Sequence, residues 1–165
     1  MSFSPVVYLT TPEWDQIRNT GMKYFSEKAA VHHYYGTAMN TWAQHLTGSE
    51  VRYKKYFYAL RPLLAAQYIE QFHTVPPVLF DDLLQMQINS SLRSAINELL
   101  EKKKVTTESE CNPHIPAIQA FISDELQKQK EISKNLPDDR NTDWSAMNSC
   151  FADIAGILFR KPEQN

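Results

Sequence analysis

The residue types best suited to chemistry cluster in residues 51–64, VRYKKYFYALRPLL, where Arg52, Lys54, Lys55 and Arg61 place four cations within ten residues. Lys54, Tyr58 and Arg61 stand at i, i+4 and i+7, so a helix presents them on one face. Tyr53, Phe57, Leu60 and Leu64 fall on another, the side expected to be buried. Ammonium, guanidinium and phenol groups grouped this way suit a phosphate or a nucleotide, through charge-assisted hydrogen bonds and ring stacking. Pro62 lacks the N–H that would reach the Tyr58 carbonyl and crowds the preceding turn. A kink near residues 58–61 is expected, with the Arg61 fork at the bend. The same residues also fit a solvated basic face paired with Asp81, Asp82 or Glu70, and spacing does not separate the two readings.

A second group is His32-His33-Tyr34-Tyr35. Adjacent helical residues point about 100° apart, so the two histidines cannot chelate one metal by themselves. No HExxH is present and no carboxylate or cysteine stands at ligand spacing, so no metal ligand is assigned. One histidine is expected to be buried with a hydrogen bond and the other to lie at a surface or cleft. Lys102, Lys103 and Lys104 read as cations set against the negative end of a helix dipole. Cys111 beside Glu110 lies in an acidic loop that does not favour a thiolate. There is no GxSxG, P-loop or GxGxxG, and no catalytic residue is assigned.

The elements that must hold these groups are helical. Only four glycines occur in 165 residues and 42% of the chain is hydrophobic, enough for a core and unlike a turn-rich sheet protein. A net charge of −2 means that any anion site must come from a local patch. No apolar run approaches the roughly 18–20 residues of a membrane span, and MSFSPVVYLT lacks a basic leader. With two cysteines that form no CxxC pair, the expectation is a reduced, cytoplasmic protein without a membrane partner, and the Asn89-Ser90-Ser91 sequon carries little weight.

Residues 2–9 read as a short extended segment. Thr11-Pro12-Glu13 starts a helix running to about Phe25, and Ser26-Glu27 caps a second with Ala30, Tyr34, Ala38, Trp42 and Leu46 on one face. A third helix is expected over residues 50–72, ended by Val75-Pro76-Pro77, and a short one over 79–87. Ser90 or Ser91 is expected to cap the next, which holds Leu92, Ile96, Leu99 and Leu100; residues 105–113 read as an exposed loop. A helix over 116–134 carries the stripe Ile118, Phe121, Ile122 and Leu126, with its polar second half QKQKEISK expected in solvent. Residues 135–142 form a loop before a last helix over 143–159. Trp14, Trp42 and Trp144 are expected in the core. The whole reads as a single all-α domain over 1–165, a bundle of six or seven helices with an extended lead-in (1–10) and a tail (160–165).

On VRYKKYFYALRPLLAAQYI the chain resembles the C-terminal half of a family of polymerase-β-like nucleotidyltransferases that includes enzymes linked to bacterial RNA repair. SPVVYLTTPEWDQIR resembles the segment leaving that family's catalytic sheet, and YFSEKAAVHHYYGTA the helix after it. PPVLFDDLL, INELLEKKK, HIPAIQAFISDEL and DWSAMNSCF follow in the family's order, so the likeness covers nearly all 165 residues. Such transferases hold a triphosphate with a Gly-Ser loop and two magnesium ions with an Asp-x-Asp pair. No Gly-Ser followed closely by Asp-x-Asp occurs here: Gly48-Ser49 leads into YKKYFYALR, and Asp81-Asp82 and Asp138-Asp139 are adjacent pairs.

The resemblance therefore implies a helical domain that binds the nucleotide or substrate and is inactive alone. Magnesium and a nucleoside triphosphate are cofactors of the complete enzyme rather than of this chain. Carried over by residue, the basic–aromatic helix corresponds to Lys54, Lys55, Tyr58 and Arg61, and a His-Tyr motif to His33 and Tyr34. The implied partners are a nucleotide or RNA and a catalytic nucleotidyltransferase domain. A different class remains alongside it: a non-enzymatic interaction module that docks on a transferase or another protein, with residues 2–9 adding to a partner's sheet edge. A helical ribonuclease fits less well, because no arginine precedes a histidine at that kind of site's spacing.

Overall fold

The computed structural model describes residue 4, residues 6–105, residue 107 and residues 110–156. Among these, seven helices account for the regular structure: α1 (Pro12–Met22), α2 (Glu27–His45), α3 (Tyr53–Phe72), α4 (Phe80–Leu83), α5 (Ser90–Val105), α6 (Pro116–Asn135) and α7 (Ser145–Ile154). The chain is all-α, as its periodicity requires. Among the described residues, β pairing is confined to one isolated antiparallel bridge between Val51 and Asn112. Residues 6–10 carry no strand, and residues 2, 3 and 5 of the expected extended segment lie outside the described residues, as do 157–159 of the last helix and the 160–165 tail.

The helix starts follow local chemistry. The Thr11 hydroxyl accepts from Trp14 N–H with Pro12 at the first position, and the Ser26 hydroxyl accepts from Ala29 N–H. Asn89, not Ser90 or Ser91, caps α5: its Oδ1 accepts from Ser91 N–H at 2.8 Å. An asparagine placed just ahead of the first helical residue offers its carbonyl to the free N–H groups there, whereas Ser90 is already helical.

Helix α3 is the centre. It buries ten residues, Tyr53, Tyr56, Leu60, Pro62 and Leu64 among them, and packs against α2, α4, α5 and α6. The helix continues through Pro62, leaving the Tyr58 carbonyl without its i+4 donor. It stops at His73, which adopts φ 52, ahead of Val75-Pro76-Pro77. The buried wall is completed by Ile96 and Leu99 of α5 and Ile118 and Ile122 of α6.

Two expectations are overturned. The second half of α6 does not project into solvent: Glu125, Gln129 and Ser133 continue the Ile118–Ile122 stripe at helical spacing and are buried. The Glu125 carboxylate and the Gln129 amide nitrogen are paired there, and the Ser133 hydroxyl donates to the Lys130 carbonyl at 3.0 Å, while Gln129 Oε1 is left without a partner among the described residues. Gln67 Nε2 donates to Glu125 Oε2 at 2.6 Å, and Gln129 Nε2 donates to Glu125 Oε1 at 2.7 Å and to Glu70 Oε2 at 3.2 Å. The tryptophans are not all core either. Trp42 is half-buried against the core, but Trp14 and Trp144 are exposed, because α1 packs against α7 and buries none of its own residues. Trp144 instead stacks on Tyr24, with ring centroids 5.0 Å apart and 17° between planes. The Tyr24 hydroxyl accepts from Met147 N–H at 3.2 Å and so caps α7 from outside.

Candidate nucleotide-binding cleft

The helical spacing of α3 and the rigid stop after it create the site. Once α3 ends, residues 75–78 turn back across its outer face, and two consecutive prolines limit the conformations this segment can take. Between this segment, α2 and α3 lies an open cleft of about 570 Å³. Helix α2 contributes His33, Tyr34, Thr37 and Thr41; α3 contributes Phe57, Tyr58, Arg61, Pro62 and Ala65. Its walls are mainly aromatic and aliphatic, with one guanidinium and no carboxylate.

Of the six residues singled out in the sequence, the structure brings four into the cleft, His33, Tyr34, Tyr58 and Arg61. Arg61 Nη2 donates to the Val78 carbonyl, which ties the 75–78 segment to α3 across 17 residues. Among the described residues no carboxylate pairs with it; Glu70, one of the partners expected for a purely structural basic face, binds Lys128 at 3.0 Å instead. Tyr34 is half-buried, and burial pushes its phenol above the ordinary value while the Arg61 charge pulls the other way. Its hydroxyl therefore stays protonated as a donor at neutral pH.

Lys54 and Lys55 do not line the cleft; they stand at its rim. Their ammonium groups lie 6.0 and 5.3 Å from the centroid of the Tyr58 ring, which is itself 47% exposed. Lys55 also faces a neighbouring depression shared with Arg52, Glu50 and Cys111. Both histidines of the His-His pair are exposed, correcting the expectation that one is buried: α2 turns neither ring inward, and His33 lies at the cleft mouth with its ring 5.6 Å from that of Tyr34.

Three contributors were missed. Phe57, read only as a core residue, lines the cleft and meets Phe80 edge-on at 5.7 Å. The Val75-Pro76-Pro77 stop, read as punctuation, forms a wall. Lys103, read as a dipole cap, lies 5.0 Å over the Phe57 ring. A run of lysines at the end of one helix and a basic–aromatic run in another were both visible, but nothing local said that they meet. Lys102 lies 5.7 Å over Tyr53 and pairs with Glu98 at 2.6 Å, which raises its ammonium pKa chiefly through that hydrogen bond.

The residues present do not fit a pair of magnesium ions. No carboxylate lines the cleft, and among the described residues no three histidine, cysteine or acidic side chains converge as a metal site would require. Asp138 is engaged by Arg140, and Asp139 by Ser26 and Glu27 N–H, far along the chain from the cleft residues. Cys111 is exposed, Cys150 buried, and neither is in a disulfide. No helix among the described residues is long and apolar enough to cross a membrane.

Over 149 residues the chain is 35% identical to the uncharacterized protein YcgL of Bacillus subtilis (strain 168), covering 88% of this chain and 56% of that protein. The chain therefore spans about half the length of the curated relative it matches. No solved structure matches it. The model of the RlaP family, described as the RNA repair pathway DNA polymerase beta family, matches residues 1–153. A match over that much of the sequence shows that this chain belongs to the RNA repair pathway DNA polymerase beta family.

Proposed function

We propose that this chain is a helical nucleotide- or RNA-binding domain of a nucleotidyltransferase-like protein, with the transfer chemistry carried by a catalytic domain outside it. The observation that carries this reading is the cleft: His33, Tyr58 and Arg61, 28 positions apart in the chain at the extremes (61 − 33), share one concavity with a lysine rim. A guanidinium with N–H donors left over after its bond to Val78, beside aromatic rings and ammonium groups, suits a phosphorylated, base-bearing ligand. Because the acids that would hold metal are not in this cleft, no step of the transfer is assigned to it.

The test is calorimetric titration of ATP and of a short RNA into the wild type and Arg61→Ala at low salt. The wild type should bind, and loss of a charged hydrogen-bond donor should weaken binding by roughly 10- to 100-fold. No binding by either protein at low salt would remove the reading.

A second reading, a module that docks on a transferase or another protein, is favoured by a separate feature. Val6, Val7, Tyr8 and Leu9 are all at least 60% exposed, an apolar run left open among the described residues. Co-purification from the native host, combined with the titration above, separates the two: ligand binding by the wild type supports the first, and a co-purifying protein without any ligand binding supports the second.

A further inference from the structure

The geometry points to a ligand that enters base first: a nucleobase occupies the cleft while its phosphates lie outside, on Lys54, Lys55 and Lys103. This inference rests on the nucleotide-binding reading above and adds a polarity to it, together with a contact residue, Lys103, from a different helix.

The cleft itself is poorly suited to phosphate. Its walls are Tyr34, Phe57, Tyr58 and the Pro76-Pro77 segment, with Arg61 the single cation, and that guanidinium already spends one N–H on the Val78 carbonyl. Moving a multiply charged anion into such walls forfeits hydration that one guanidinium does not replace. A flat, uncharged ring loses little there and gains stacking and apolar contact. Thr37 and Thr41, one turn apart on α2, use their hydroxyls to donate to the carbonyls of His33 and Thr37 at 2.9 and 3.0 Å, and their oxygens retain lone pairs for a base edge.

The cations lie just beyond the same rings. Tyr58 carries the ammonium groups of Lys54 and Lys55, and Phe57 carries that of Lys103. Both rings also line the cleft, so they mark the boundary between an apolar slot and a positive rim. From Lys54 to Arg61 is seven residues, roughly 10 Å along the helix axis, the reach of a sugar and more than one phosphate. The rim draws on two helices far apart in the chain, α3 and the end of α5, whose dipole favours cations there. A free nucleoside triphosphate and the end of an RNA strand share this chemistry.

The experiment titrates sodium tripolyphosphate, adenosine, ATP and a six-nucleotide RNA into the full chain. Variants are Tyr58→Ala, Tyr58→Phe and Lys103→Ala, each checked for wild-type helicity and melting. ATP should bind at least tenfold more tightly than tripolyphosphate. Tyr58→Ala should cost ATP roughly 5- to 100-fold, leave tripolyphosphate unchanged, and be rescued by Tyr58→Phe, which keeps the stacking face. Lys103→Ala should weaken every phosphate-bearing ligand and reduce the salt slope for RNA by about 0.7. Tighter binding of RNA than of ATP identifies a strand as the source of the base, and the reverse identifies a free nucleotide. Equal affinity for ATP and tripolyphosphate, or indifference to Lys103→Ala, overturns the inference and leaves the binding function standing. Failure of every anionic ligand to bind removes both.

Discussion

Removing a single oxygen atom from the core should loosen the helix that carries the cleft. Tyr56 is fully buried in α3, and its hydroxyl accepts from Ile115 N–H at 3.1 Å, at the start of α6. The same oxygen lies 3.3 Å from His114 Nδ1, while His114 Nε2 lies 2.7 Å from the Gly48 carbonyl. A carbonyl can only accept, so Nε2 carries the proton and Nδ1 receives the phenol. The Gln119 amide meets the same Nδ1 and also donates to the Leu46 carbonyl at 3.0 Å, closing a polar knot between α3, α6 and the turn after α2. Burial pushes the Tyr56 phenol above its ordinary pKa, with the bonds from Ile115 and Gln119 opposing.

Tyr56→Phe keeps the ring, so no cavity forms and little apolar contact is lost. It leaves the Ile115 N–H, on a buried residue, without an acceptor, a cost of about 1–3 kcal/mol, to which the long phenol–imidazole bond adds about 0.5 kcal/mol. The expected loss is thus about 1.5–3.5 kcal/mol. Urea unfolding followed by circular dichroism should show an unchanged slope and a midpoint lower by about 1 M. Tyr8→Phe, at a position 96% exposed, is the control and should stay within about 0.5 kcal/mol of wild type. If Tyr56→Phe behaves like that control, the buried N–H has found another partner and the reasoning fails.

Gln129→Ala should destabilise by about 2–4 kcal/mol, because it opens a void and withdraws the donor shared by Glu70 and the buried Glu125. Gln127→Ala, on the exposed face of the same helix, should be near neutral in the same thermal melt, and equal effects would refute a buried network. At Asp139 desolvation works upward, but donation from the Ser26 hydroxyl and from the Glu27 and Lys28 backbones outweighs it and holds the carboxyl below its ordinary 3.8. A depressed folded-state pKa stabilises above that ordinary value, and the contribution is lost as pH falls through the folded one. Stability should therefore decline below about pH 4, and Asp139→Asn should be less stable at pH 7 with a flatter acid limb; an unchanged limb would dismiss the assignment. For Asp138, held at about 2 by Arg140, the same loss begins below its ordinary 3.8 and extends down to about pH 2.

What could be read along the chain was set by interactions a few residues long. Thr11-Pro12 and Ser26 start helices because their hydroxyls and ring act on the next turn, and Tyr53, Leu60 and Leu64 face inward because 3.6-residue periodicity puts them together. The same logic placed Tyr58 and Arg61 side by side. It failed on α6, where polarity was taken for exposure: whether Gln129 is buried depends on Glu70 and Glu125 being there to receive it, and Glu70 belongs to α3. Nor could spacing show that residues 75–78 fold back to meet Arg61, or that Lys103 reaches Phe57 from 46 positions away (103 − 57). Periodicity determines which face a residue takes on its own helix. Which faces meet is decided by how seven helices bury their apolar sides at once, and the cleft and its lysine rim exist only in that packing.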